Sequence, residues 1–335
     1  GPCVNLILGE GMKLLKILTG QREFGNFLVV VVIFITMSFV SPYFMTRTNM
    51  HALLLALSIQ TIIGVGMTIL MVSGGFDLSV GSVVGLTGMV AGMLIKKAGI
   101  PVPAAIIMSL LVGAAIGLFH GLMVTKVGLN PFIVTLAGLS LYRGLTLIIN
   151  DGKQVAQIGD VFSSIGQYKL FGIQMPIWYA IVFIIVGDIL LRRNKYLRQN
   201  FFIGGNETAA RLLGIQVDNV QISNYILTSV IAAFAGVVWT GRMGTATVYA
   251  GTGLELKVIT AVIIGGASLN GGEGSVLGAF LGSLIMVLII NILTLVGIKI
   301  YWQNFLIGAI LLFAVTLDVV TIKRRERTIL KTMTR

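Results

Sequence analysis

Ala52–Val72 reads ALLLALSIQTIIGVGMTILMV, an unbroken apolar run without one charged side chain. The hydrocarbon core of a bilayer is about 30 Å thick and takes about 20 helical residues to cross. A run of this length and character predicts a membrane-spanning helix, and it frames the sequence on either side. The chain has 335 residues, 56% of them hydrophobic and 11% charged, with a mean hydropathy of +0.98. A soluble domain carries about 25% charged residues. The expected fold is therefore an all-α integral membrane protein.

Working outward from this run, ten apolar segments are predicted, at about 25–41, 52–72, 79–95, 104–124, 131–149, 176–191, 221–241, 256–269, 274–296 and 301–321. The eighth is short for a crossing. These divide the chain into an N-terminal segment at 1–24, a polytopic bundle of about ten helices at 25–321 and a basic tail at 322–335. A polar loop at 192–220 interrupts the bundle. Residues before Met12 are given no structural weight. The single cysteine, Cys3, excludes an internal disulfide framework. The first apolar run lacks a small-residue cleavage site and is read as a span rather than a leader.

The net charge of +12 would suit a nucleic-acid partner, but its distribution suits membrane topology instead. Ten crossings put both termini on one side. Placing them in the cytoplasm puts fifteen of the 24 lysines and arginines inside. Arg192, Arg193, Lys195, Arg198 and Arg211 lie in the polar loop, and the tail runs from Lys323 to Arg335. That is the positive-inside bias, and it predicts a multi-pass protein of the bacterial cytoplasmic membrane with no nucleic-acid partner. The longest outer loop, Asn150 to Met175, is roughly neutral and is read first as a connector.

Within the polar loop, Ile203–Ile215 reads IGGNETAARLLGI and has the punctuation of a short helix. Asn206 is placed to cap its start, and Gly214 to turn left-handed at its end. Glu207 and Arg211 are four apart in the favourable acid-first order. Ala209, Leu212 and Leu213 form a small apolar strip. Two turns of helix do not hold their shape alone in water, so this segment must lie on the membrane surface or dock on a protein.

Glycines recur inside the spans at small-xxx-small spacing: Gly81 and Gly85, Gly113, Gly117 and Gly121, and Gly274, Gly278 and Gly282. Such spacing lets helix backbones approach closely in lipid. Two stretches break the apolar text in similar ways. SGGFDLSVGS at 73–82 contains Gly74, Gly75, Asp77, Ser79 and Gly81; GGASLNGGEGS at 265–275 contains Gly265, Gly266, Ser268 and Asn270. Paired Gly-interrupted segments often border a transport pathway. They could equally be tight turns, with Asp77 or Ser79 capping the third span and Glu273 near the start of the ninth.

Arg143 lies mid-span, where a cation costs about 2.5–3.5 kcal/mol on insertion scales. It should face other helices or water, paired with Asp77 or a backbone carbonyl. Asp188 and Asp318, near span ends, should be solvated or paired. His51 and His120 are far apart and lack a cluster at metal spacing. No nucleophile elbow, HExxH helix or phosphate-binding loop occurs. The chain shows no means of hydrolysing nucleotide and is expected to bind no cofactor.

SGGFDLSVGSVVGLTG, GLNPFIVTLAGLSLYRGL, FIGGNETAARLLGI, ELKVITAVIIGGASLNGGEGSVLGA and YWQNFLIGAILLFAVTLDVV together resemble the ribose/xylose/arabinose/galactose-type permeases of bacterial ABC importers, from about Phe24 to Val320. The resemblance implies a ten-span permease that dimerises with an identical or related copy. It implies a cytoplasmic ATPase pair that carries ATP and Mg, and an extracytoplasmic sugar-binding protein. It also implies that Gly204 to Gly214, with Asn206 and Ala210 among them, is the coupling element: Glu207 and Arg211 would orient the helix, and Ala209, Leu212 and Leu213 would fill a groove on the ATPase. Gly204 and Gly205 would lead into it. Gly74, Gly75, Asp77, Gly265 and Gly266 would shape turns near the pathway. Thr208 stands where a second acidic residue is common in that family, and Leu213 where a small residue is common. Three other readings stay open: a related permease for branched-chain amino acids, nucleosides or a sugar-derived signal; an ion-coupled transporter; and a purely structural subunit.

Overall fold

The computed structural model describes residues 22–333. Helices α1 (Arg22–Val40), α2 (Arg47–Val72), α3 (Val80–Lys96), α4 (Val102–Thr125) and α5 (Pro131–Ile148) come first. A short helix α6 (Asp160–Gln167) and a hairpin of β1 (Lys169–Leu170) and β2 (Ile173–Gln174) follow. Next come α7 (Met175–Arg193), α8 (Lys195–Gly205), α9 (Glu207–Leu212) and α10 (Val217–Met243). The chain closes with α11 (Leu254–Ile264), α12 (Val276–Leu295) and α13 (Ile300–Met333). Each predicted apolar segment falls on a helix. Eight helices are long and apolar enough to cross a membrane, and α3 is a shorter apolar helix.

The eighth segment departs from expectation. Helix α11 has 11 residues, about 16 Å at 1.5 Å per residue, and reaches only part-way across. The stretch before it, 242–255, lies between two of the predicted segments. Residues 246–251 run back along α3: a methyl group on Gly85 would lie 2.8 Å from the Ala250 carbonyl oxygen, and one on Gly92 would lie 3.0 Å from Ala246 Cβ. Glycines on α3 are what let this irregular backbone pass so close.

Helix α2 forms the centre, buried from Leu57 to Val72 by α7, α10 and α12. Helix α10 is the second axis and lies against α4 along its length. Added methyls at Gly113 and Gly121 of α4 would lie 2.8 Å from Ser229 O and Ile222 Cα of α10. The small-residue spacing is therefore a packing seam, as close approach in lipid requires.

The bundle has two distinct ends. At one, the α2 terminus meets the 265–275 loop, where Gly272 N donates to Val72 O at 2.8 Å; this is also the end that carries α8 and α9. At the other, the connection after α5 is folded rather than loose. Val155 pairs with Ala246 in an isolated bridge, Phe162 of α6 is fully buried, and the hairpin pairs Lys169 with Gln174. Its tight turn uses Phe171 and Gly172, both at positive φ.

Candidate coupling and translocation site

The short polar helix folds as its residues dictate. Asn206 accepts a bond from Ala209 N at 2.9 Å, and Gly214 adopts φ +83°. Arg211 donates to Glu207 at 2.9 Å and to Asp218, in the first turn of α10, at 2.7 Å. Lys126, just past α4, reaches the same Asp218 at 2.8 Å. One carboxylate thus ties α9 to the ends of α4 and α10. Its bond to Arg211, with that of Glu207, holds the guanidinium pKa above its ordinary value.

Leu212 and Leu213 are 85% and 74% exposed, and Ala209 is exposed beside them. Ala210, a member of the same short helix, faces the other way. It is fully buried against Ile203, Val217 and Val220, because it falls on the opposite side of a two-turn helix. Gly204 also faces inward, its Cα against Val72 O and the 271–272 backbone, whereas Gly205 is open. Helix α8, read earlier as loop, carries this junction. Its buried Asn200 bonds Asn224 of α10, which in turn donates to Ser73 at 3.1 Å.

The two Gly-interrupted stretches meet here. A methyl on Gly74 would lie 3.7 Å from Asn270 O. Ser268 Oγ donates to Asp318 at 3.3 Å and accepts from Asn270 N at 3.2 Å. Ser79 stands at the N-cap of α3 but makes no side-chain cap bond; Asp77 Oδ1 accepts from Ser79 N at 2.7 Å and fixes the turn before the helix. Ser275, rather than Glu273, caps α12, accepting from Gly278 N at 3.0 Å. Gly265 packs against Gly278 backbone, and Gly266 turns with φ +101°. Asp188 pairs with Arg192 at 2.9 Å.

Arg143 does not pair with Asp77. It donates to Val248 O and Ala250 O at 2.8 Å each, and to Gly81 O at 3.4 Å. Irregular backbone at membrane depth must have its polar groups satisfied inside the protein, and this one side chain does it for the stretch leading into α11. Asp77 instead faces His120, its Oδ2 3.4 Å from His120 Nδ1, with both side chains fully buried. His120 Nε2 is bonded to Tyr142 at 2.9 Å. Sequence reading missed this link, since the partners lie on different helices with no spacing to connect them. It also missed the broken helix, although three glycines in RMGTATVYAGTG (242–253) and the short eighth segment were signals for it.

These features define a polytopic α-helical membrane protein with a broken helix, a discontinuity that transporters use near their pathways. The family model described as branched-chain amino acid transport system / permease component matches residues 49–315. The chain belongs to that family of transport-system permeases. It is 36% identical over 302 residues to the ribose import permease protein RbsC of Escherichia coli (strain K12), covering 88% of this chain and 93% of the relative. It is 34% identical over 297 residues to the D-allose transport system permease protein AlsC of the same strain, covering 88% and 91%. It is 35% identical over 307 residues to the L-arabinose ABC transporter permease protein AraH of Azospirillum brasilense, covering 92% and 90%. No solved structure matches the chain.

Proposed function

We propose that this chain is the permease subunit of an ATP-driven importer that carries a monosaccharide across the cytoplasmic membrane. The observation that carries the mechanism is α9: a capped, ion-paired helix that presents Leu212 and Leu213 outward. Full-length similarity to ribose, allose and arabinose permeases supports the substrate class. The α9 end faces the cytoplasm, as the excess of Lys and Arg there favours, and both termini lie on that side. A separate ATPase seats on Leu212 and Leu213. Its ATP-driven movement is passed by Arg211–Asp218–Lys126 to the ends of α4 and α10. An extracytoplasmic binding protein delivers the sugar to the opposite end, and a second permease copy completes the pathway.

Cells supplied with the chain, its ATPase and its binding protein should accumulate sugar. Arg211→Glu, which places like charges beside Glu207 and Asp218, should abolish uptake and co-purification of the ATPase while the protein stays in the membrane. Normal ATPase association in that variant would count against α9 as the coupling element. The family description favours branched-chain amino acids as the second reading, and a thermal-shift screen of the cognate binding protein separates the two. Flux through the chain alone in liposomes under an ion gradient would favour a coupled transporter, for which the intramembrane Asp77–His120 pair would be the natural relay.

A further inference from the structure

Helix α11 is only 11 residues long, and the backbone before it lies along α3. A cavity of about 330 Å³ occupies the region between the first half of α2, the last turn of α10, the start of α11 and the late part of α12. That volume is at the small end of the 300–1,000 Å³ range of small-molecule sites. Its lining is mostly apolar, with a few polar and cationic side chains. Gln60, itself only 2% exposed, donates to Lys257 O at 3.3 Å and fixes the start of α11 against α2. Lys257 and Arg242 line the cavity, are each partly buried, and form no ion pair among the described residues. Arg242 lies in the last turn of α10 and Lys257 in the first turn of α11, so both cations reach the cavity from helix ends. Trp239 adds an indole to the same wall.

Given import of a monosaccharide, we propose that this cavity is the holding site for the neutral sugar in transit, with Trp239, Gln60, Lys257 and Arg242 as its contact groups. An indole presents an apolar face to the C–H side of a sugar ring, while ammonium, guanidinium and amide donors bind hydroxyl oxygens. The site has few fixed donors and an open side formed by Ala52 and Ala56, both exposed. Occupancy is therefore weak, as a transit site requires if its solute is to leave.

The test uses the assembled importer in proteoliposomes, with ATP enclosed and the binding protein outside, in a Cys3→Ser background. Ala56→Cys, and separately Ala52→Cys, are treated from the binding-protein side with a membrane-impermeant sulfonate thiol reagent. The expected result is rapid labelling that blocks uptake, slowed several-fold during turnover with D-ribose, D-allose or L-arabinose. Labelling by a lipid-soluble maleimide alone would make the cavity a lipid-facing groove and overturn the proposal. So would full labelling that leaves uptake unchanged. No uptake of any of the three sugars by the unlabelled Cys3→Ser complex would instead remove the sugar-import reading, and the holding site with it.

Discussion

Arg143 shows how a half-buried cation can organise backbone rather than chemistry. Arg143 serves three carbonyls from two segments, and a buried carbonyl left without a donor costs about 1–3 kcal/mol. Arg143→Met should therefore lower the thermal midpoint in detergent markedly, and Arg143→Lys by less, since an ammonium can still serve part of the set. Asp77 and His120 are both fully buried. Leaving a buried polar group without its partner costs about 1–3 kcal/mol. His120→Leu should be strongly destabilising, and adding Asp77→Asn should recover part of the loss in a double-mutant cycle read by thermal midpoint. Additivity of the two changes would show that they do not interact.

At the scale of the element, α9 carries stability and function on opposite sides. Leu212→Asp and Leu213→Asp change solvent-facing positions, where substitutions shift stability by about 0.5 kcal/mol or less. They should leave the thermal midpoint unchanged yet abolish ATPase co-purification. Ala210→Glu should do the reverse to the fold, burying a charge against Ile203, Val217 and Val220. The caps and the Glu207–Arg211 pair were legible in the sequence because they are local: each links residues three or four apart. The burial of Ala210 was not, since a two-turn helix with alanines at 209 and 210 offers no periodicity to say which one faces inward. Helix α8 was hidden for a related reason. Its polar surface (KYLRQNFF) looks like loop until Leu197, Asn200 and Ile203 are seen buried on one side.

For the whole molecule, the seam between α4 and α10 is decisive. Gly117 lies with its Cα against the Tyr225 carbonyl and the Ile226 backbone, so Gly117→Val would force the two helices apart. Overpacking of this kind costs about 1–3 kcal/mol or more, and a lower yield of folded protein by size-exclusion chromatography should report it. Gly205→Ala, at a position with open space around it, is the matched control and should behave as the wild type.

The sequence by itself determined the solvent in which this chain folds, the number and placement of its apolar helices, and the short capped helix between them. Hydrophobic length, charge asymmetry and capping are properties of neighbours along the chain, so they can be read without coordinates. Only the tertiary structure decided that Asp77 faces His120, that Arg143 holds irregular backbone, and that α11 stops short beside a cavity edged by Gln60, Arg242 and Lys257. Each of those depends on residues far apart in sequence being forced together, because in lipid a buried polar group must find its partner inside the protein.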